Sequence, residues 1–264
     1  MRRILLTTFL FFNINQILSS QEIRTVNNGN LILENIPHIP QSIKDDLSKF
    51  QNVRSAAFRG FRTDNDGLYI STRFGNVSQL HHVKSPGAMR NQITYFEEPI
   101  GSVAMHPVDS SIVFTMDKGG TENAQIYLLE PSSSSVKLLT DGTSRNGGPL
   151  ISNSGKKIAF QSNKRNGSSN DVWILNLDAP EQNEIVIESL DGSWWGATDW
   201  MKDDSKLLIQ NYISITNSKA YILDLKTKEK TLILGDRVNE SVNNVLSFDK
   251  DDKGVFFITN QYGE

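Results

Sequence analysis

The residues able to carry chemistry are few and scattered. Cysteine is absent, and the histidines are His38, His81, His82 and His106. Without thiols the chain has no disulfide, cysteine-ligated zinc, iron–sulfur cluster, cysteine nucleophile or lipoprotein anchor. No two histidines have the spacing of a zinc-protease helix. His81 and His82 fall in a strand-like run, where neighbours point to opposite faces; a shared metal is disfavoured and a structural role is expected. Asp249-Lys250-Asp251-Asp252-Lys253-Gly254 has the look of a calcium loop. An EF-hand needs an oxygen ligand at its fifth position and Glu at its twelfth, and Lys253 and Asn260 stand there, so the segment reads as a turn. Asn76-Val77-Ser78, Asn166-Gly167-Ser168 and Asn239-Glu240-Ser241 match glycosylation sequons, which have meaning only in a eukaryotic source. Lys156, Lys157, Lys164 and Arg165 read as ordinary loop charges. There is no P-loop and no dinucleotide fingerprint. The expectation is a chain with no catalytic residue, cofactor or metal site of its own.

The elements that would position a site must therefore carry the reading. The 264 residues allow one large all-β domain or two ordinary ones. With 27 Lys+Arg against 30 Asp+Glu the net charge is −3, which argues against a nucleic-acid partner. Residues 1–20 differ from the rest. Arg2 and Arg3 precede an apolar run from Ile4 to Phe12, and Leu18-Ser19-Ser20 offers a small-residue exit. This is the pattern of a secretory signal peptide, and the run is too short to span a bilayer. A periplasmic or secreted protein is expected, with no membrane span after signal removal. Residues 21–52 read as an extension with one strand in NGNLILENIPHIP. A short helix follows over Ile43–Phe50, capped by Ser42 with Asp45 and Asp46 in its first turn.

From residue 53 the chain repeats itself. A polar turn and then an apolar strand recur, with the first apolar residue at 68, 112, 158, 207 and 255, that is, at intervals of 44, 46, 49 and 48. Each turn is preceded by a strand: AAFRGF, SVAMH, GPLIS, TDWM and NVLSF. The strands after it are LYIST, IVFTM, KIAFQS, KLLIQ and VFFIT. A third set (QLHHV, IYLLE, VWILNL, YILDL) and a fourth (QITYF, VKLLT, EIVIE, TLILG) complete each unit. Four short strands per 40–50 residues predict an all-β chain of β-propeller blades. A helical repeat is excluded by Asp, Asn, Gly and Ser recurring too often within each unit. Blades bury both faces by stacking, which accounts for strands apolar on successive residues. Trp173, Trp200, Phe114, Phe160, Tyr127 and Tyr221 are expected in the inter-blade core. The count is four blades and the start of a fifth over residues 53–264. A ring needs its last blade to meet its first, so an incomplete ring and a longer parent protein are expected.

GPLISNSGKKIAFQSNKRNGSSNDVWILNL resembles the TolB-type propeller repeat. The linked order RSAAFRGFRTDNDGLYISTRFGNVSQLHHV, QITYFEEPIG, GGTENAQIYLL and LLTDGTSRNGGP resembles the propeller of exported prolyl oligopeptidase-family serine peptidases, which include the dipeptidyl peptidase IV and acylaminoacyl peptidase types. The likeness runs from about Asn28 to Glu264. It implies a propeller above a C-terminal α/β-hydrolase domain whose Ser sits in a G-x-S-x-G elbow, with Asp and His completing the triad. That domain and elbow are absent here. Gly192-Ser193-Trp194-Trp195-Gly196 places Ser next to the first Gly and reads as a blade linker. Glu97-Glu98 has the composition of the glutamate pair with which dipeptidyl peptidases hold a substrate amino terminus, but its context is a turn before Pro99.

The resemblance thus implies the gating part of a serine peptidase of short peptides, inactive alone, its peptide substrate bound through a hydrolase domain outside the chain. The alternative is a non-catalytic periplasmic TolB-like propeller that binds a protein or peptide. A propeller-only carbohydrate or metabolite enzyme is disfavoured, because the first strands offer mostly small and apolar residues rather than Asp, Glu or His.

Overall fold

The computed structural model describes residues 22–236 and 239–263. The expected signal peptide lies outside them. The chain divides into two units, Met1–Val53 and Arg54–Glu264.

In the first unit, β1 (Ile23–Val26) and β2 (Leu31–Glu34) form an antiparallel hairpin. Its turn holds Asn27 and Asn28 at φ 54°, a left-handed geometry that asparagine tolerates. Sequence reading gives only one strand here. The helix α1 (Gln41–Gln51) starts earlier than Ser42 predicts. Pro40, at φ −54°, already has a helical φ, and its carbonyl accepts the first bonds from Ile43 and Lys44, so no side-chain cap forms. Asp45 and Asp46 fall beyond the first turn.

In the second unit the repeat becomes four antiparallel sheets of four strands and a final pair. Blade 1 holds β3 (Ala56–Phe61), β4 (Leu68–Thr72), β5 (Gln79–Val83) and β6 (Arg90–Gln92). Blade 2 holds β7 (Ile100–Met105), β8 (Ile112–Met116), β9 (Gln125–Glu130) and β10 (Ser135–Leu138). Blade 3 holds β11 (Asn146–Ile151), β12 (Lys157–Ser162), β13 (Asp171–Asn176) and β14 (Asn183–Ile187). Blade 4 holds β15 (Trp194–Trp200), β16 (Lys206–Ser214), β17 (Asn217–Asp224) and β18 (Lys230–Leu234). The pair is β19 (Asn243–Phe248) with β20 (Val255–Thr259). First strands of successive blades lie against one another, so they line the axis side. Turns between first and second strands therefore share one end of the stack. Second-to-third loops and blade-to-blade linkers share the other.

The core lies between blades. Phe114, Ile112, Tyr69 and Leu80 fill the space between blades 1 and 2. Phe160, Trp173 and Val113 fill the next, and Trp195, Trp200, Ile209 and Val172 the one after. Trp173, Trp200, Phe114 and Phe160 are buried as expected, while Tyr127 and Tyr221 are half-buried. The fourth strand of blade 1 ends at Gln92, the first residue of the predicted QITYF. The Thr94 hydroxyl accepts the Leu80 N–H at 2.9 Å and the Gln79 carboxamide takes the main chain of Phe96, so side chains replace the ladder there.

Candidate functional site

Two repeated polar devices fix the loops at either end. At the start of each third strand, or one residue into it, stands a buried polar residue: Gln79, Gln125, Asp171 and Ser218. Each holds the linker to the next blade. Gln79 donates to the carbonyls of Phe96 and Glu98 at 3.1 and 3.0 Å and accepts from Phe96 N–H. Gln125 donates to Ser144 O and accepts from Thr140 Oγ1 and Gly142 N–H. Asp171, fully buried, accepts from Ser189 N–H at 2.8 Å and pairs with Arg165 at 2.7 Å. Ser218 accepts from Asn243 N–H at 2.7 Å and donates to Asn243 O. Sequence reading missed these residues. Their signal is a polar residue at the head of the third strand, recurring at intervals of 46, 46 and 47. Arg165 is thereby corrected: it is the partner of a buried carboxylate, with a guanidinium that also donates to Ser189 O.

At the opposite end, the first-to-second-strand turns bond to one another. Thr63 donates to His106 O, and Ser110 to Asp64. His106 Nε2 donates to Gly155 O at 2.9 Å, while its Nδ1 accepts from Asp109 N–H. Asp204 accepts from the N–H groups of Asn153 and Ser154 at 2.8 and 3.0 Å, and Asp252 from Lys202 N–H at 3.1 Å. Gly155, at φ 76°, gives the His106 ring space that a Cβ would fill. Between these turns on blades 2 and 3 lies a groove of about 670 Å³ walled by His106, Asp109, Glu130, Lys137, Lys156 and Asp178.

The turn carboxylates are ionised acceptors. The Arg62 guanidinium and the Asp66 N–H hold Asp64 far below the usual carboxylate range. Burial raises Asp109, but bonds from the Ser111 hydroxyl and N–H outweigh it and the net shift is down. Burial likewise opposes, and bonds from Ser154 and Asn153 overcome, at Asp204. None of the three is a proton donor near neutral pH.

The candidates of the sequence are dispersed. Ser193 is buried, and its hydroxyl donates to Asp191 at 2.6 Å and accepts from Asn211 at 2.9 Å; no histidine bonds to it. Of the segment read as a linker, only Gly192 and Ser193 lie outside the sheet; Trp194, Trp195 and Gly196 belong to β15. Glu97 is exposed, whereas Glu98 accepts from Gly119 N–H at 2.8 Å and pins a loop of blade 2. Asp249 spends its carboxylate on the N–H groups of Asp251 and Lys253, so DKDDKG is a turn. His81 is buried with Nε2 unpartnered, and His82 on the other face bonds Asp66 O. Asn76, Asn166 and Asn239 all sit in exposed connections at the linker end. Among the described residues no group of three His, Cys, Asp or Glu is placed to hold a metal ion.

No family model and no curated protein sequence matches the chain. Solved structures do. A prolyl endopeptidase studied for inter-domain dynamics in catalysis and specificity superposes over 92% of this chain and 42% of its own, with TM-score 0.64 and 10% identity. TolB from Acinetobacter baumannii matches over 80% of this chain and 56% of its own, with TM-score 0.56 and 17% identity. A TolB-type protein from Agrobacterium tumefaciens matches over 66% and 63%, with TM-score 0.52 and 18% identity. The chain thus spans less than two thirds of the length of each. With four-stranded sheets repeating around the first strands, and with these likenesses, the chain has the TolB-like β-propeller fold that prolyl endopeptidases also contain.

Proposed function

We propose that the chain is the propeller portion of an exported serine peptidase of the prolyl oligopeptidase type, which limits access of short peptides to a hydrolase domain lying outside it. The observation that carries this reading is the match to a prolyl endopeptidase over nearly all of this chain and under half of the other. The fold agrees with it. The chain enters β3, and every complete blade ends, at the linker end of the stack, so a domain joined to whole blades attaches there. Met1–Ser20 supplies the export signal, and the destination is the periplasm or the exterior. The test is to sequence the locus beyond codon 264 and to assay the product on a chromogenic prolyl peptide. An open frame reaching G-x-S-x-G, then Asp and His, with cleavage of that peptide, is expected. A stop directly after Glu264 overturns the reading. It would favour the second one, a binding propeller of TolB type, which draws on the higher identity to the two TolB structures.

A further inference from the structure

The fold repeatedly uses a glutamine carboxamide to grip a peptide group. Gln79 does so as described. Gln210, fifth residue of β16, donates to Asn243 O at 2.7 Å and accepts from Val245 N–H at 3.0 Å, both on the first strand of the next unit. Gln161 is fifth in β12 and thus the repeat counterpart of Gln210. It also reaches towards the first strand of the next blade, where its Nε2 occupies the space a Cβ on Gly196 would take. Yet no described residue hydrogen-bonds to its carboxamide. Trp194 folds over the same spot, its Cη2 2.6 Å from that Cβ position, and its carbonyl is taken by Asn211. Gly148 on the near side also lacks a side chain, and Gln161 Nε2 lies 3.3 Å from its would-be Cβ. A half-buried amide therefore fills the space left by two glycines, under an indole that is 36% exposed, with Tyr212, 46% exposed, directly opposite Trp194 in the ladder.

We propose that this junction of blades 3 and 4 binds an extended peptide. Gln161 donates to a carbonyl and accepts from an N–H of the ligand, as Gln210 does within the fold, and Trp194 with Tyr212 covers an apolar ligand side chain. The inference deepens, and rests on, the reading that peptides reach this end of the propeller.

Trp194 reports its own occupancy, because Trp173, Trp195 and Trp200 are all at most 8% exposed. The experiment titrates the 264-residue chain with an end-blocked alanine–proline hexapeptide and follows tryptophan emission and its quenching by acrylamide. A saturable change that protects the fluorophore is expected. It should be lost in Trp194→Phe, with Gln161→Leu weakening binding roughly tenfold, about the worth of one bidentate contact, at an unchanged unfolding midpoint. No saturable change, equal affinity in Gln161→Leu, or equal binding of maltose overturns the proposal. Binding by the chain in the absence of any encoded hydrolase would sink the peptidase reading and leave this site standing. Peptidase activity in the longer product with no binding here would do the reverse.

Discussion

Strands β12 and β20 are the same element in the repeat, and they meet opposite fates. In β12, Ile158, Ala159 and Phe160 are at most 4% exposed. In β20, Phe256, Phe257 and Ile258 are 59%, 41% and 63% exposed. The residue types are equally apolar. What differs is the company: β12 has strands on both sides and a blade against each face, and β20 pairs only with β19 among the described residues. An apolar run thus encodes a strand, whereas burial is conferred by neighbours.

The sharpest way to break this comparison is a pair of truncations in the 264-residue chain. Phe160→Ala should cost about 3–5 kcal/mol, the usual range for a buried phenylalanine, and Phe257→Ala less than about 1 kcal/mol. Urea unfolding midpoints decide it, and equal costs would end the contrast.

The linkers can be compared the same way. Asp171→Asn strips charge from the Arg165 pair and weakens the hold on Ser189, and should cost about 2–3 kcal/mol. Ser218→Ala, at the equivalent place before the last pair, should cost about 1 kcal/mol. If Ser218→Ala proves the costlier, the grip on the linker does not depend on charge.

A third test turns on pH. Burial pushes the His81 imidazole below its ordinary value. The unfolded chain then binds more protons, so stability should be full above about pH 6.5 and fall as pH drops through the interval between the two values. The His81→Leu chain should lose the part of that slope due to one proton. An unchanged slope would assign the acid sensitivity elsewhere. The smallest effect is at the turns. Asp204→Asn, which weakens a three-bond grip, should cost about 1 kcal/mol, and Asp252→Ala, with one inter-turn bond, about half as much.

Much of this fold is legible in the residues. All five second strands stand where a polar turn gives way to an apolar run, because turn chemistry and strand propensity act locally and agree. Four strands per unit follow from the same signals. The devices that join the blades are less visible. Gln79, Gln125, Asp171 and Ser218 stand at strand edges, where a polar side chain declares no partner until the linker is in place. Arg165 hides for the same reason. The helix began early because Pro40 substitutes backbone geometry for a cap. Gln161 was invisible because its distinction is a bond it does not make, which only comparison with Gln210 exposes. The nucleophile and metal-loop candidates are plainer: Ser193 and Asp249 have turn partners within a few residues, as their sequence context suggests.

The bonds between first-to-second-strand turns carry a consequence for descent. Most of them end on a main-chain atom: His106 O, Gly155 O, and the N–H groups of Asn153, Ser154 and Lys202. A coupling whose socket is backbone asks little of the neighbour's side chains, the space that Gly155 leaves for His106 apart. A duplicated blade is accepted by the one beside it from the moment of its origin, and each copy is then at liberty to diverge in sequence while the joint persists.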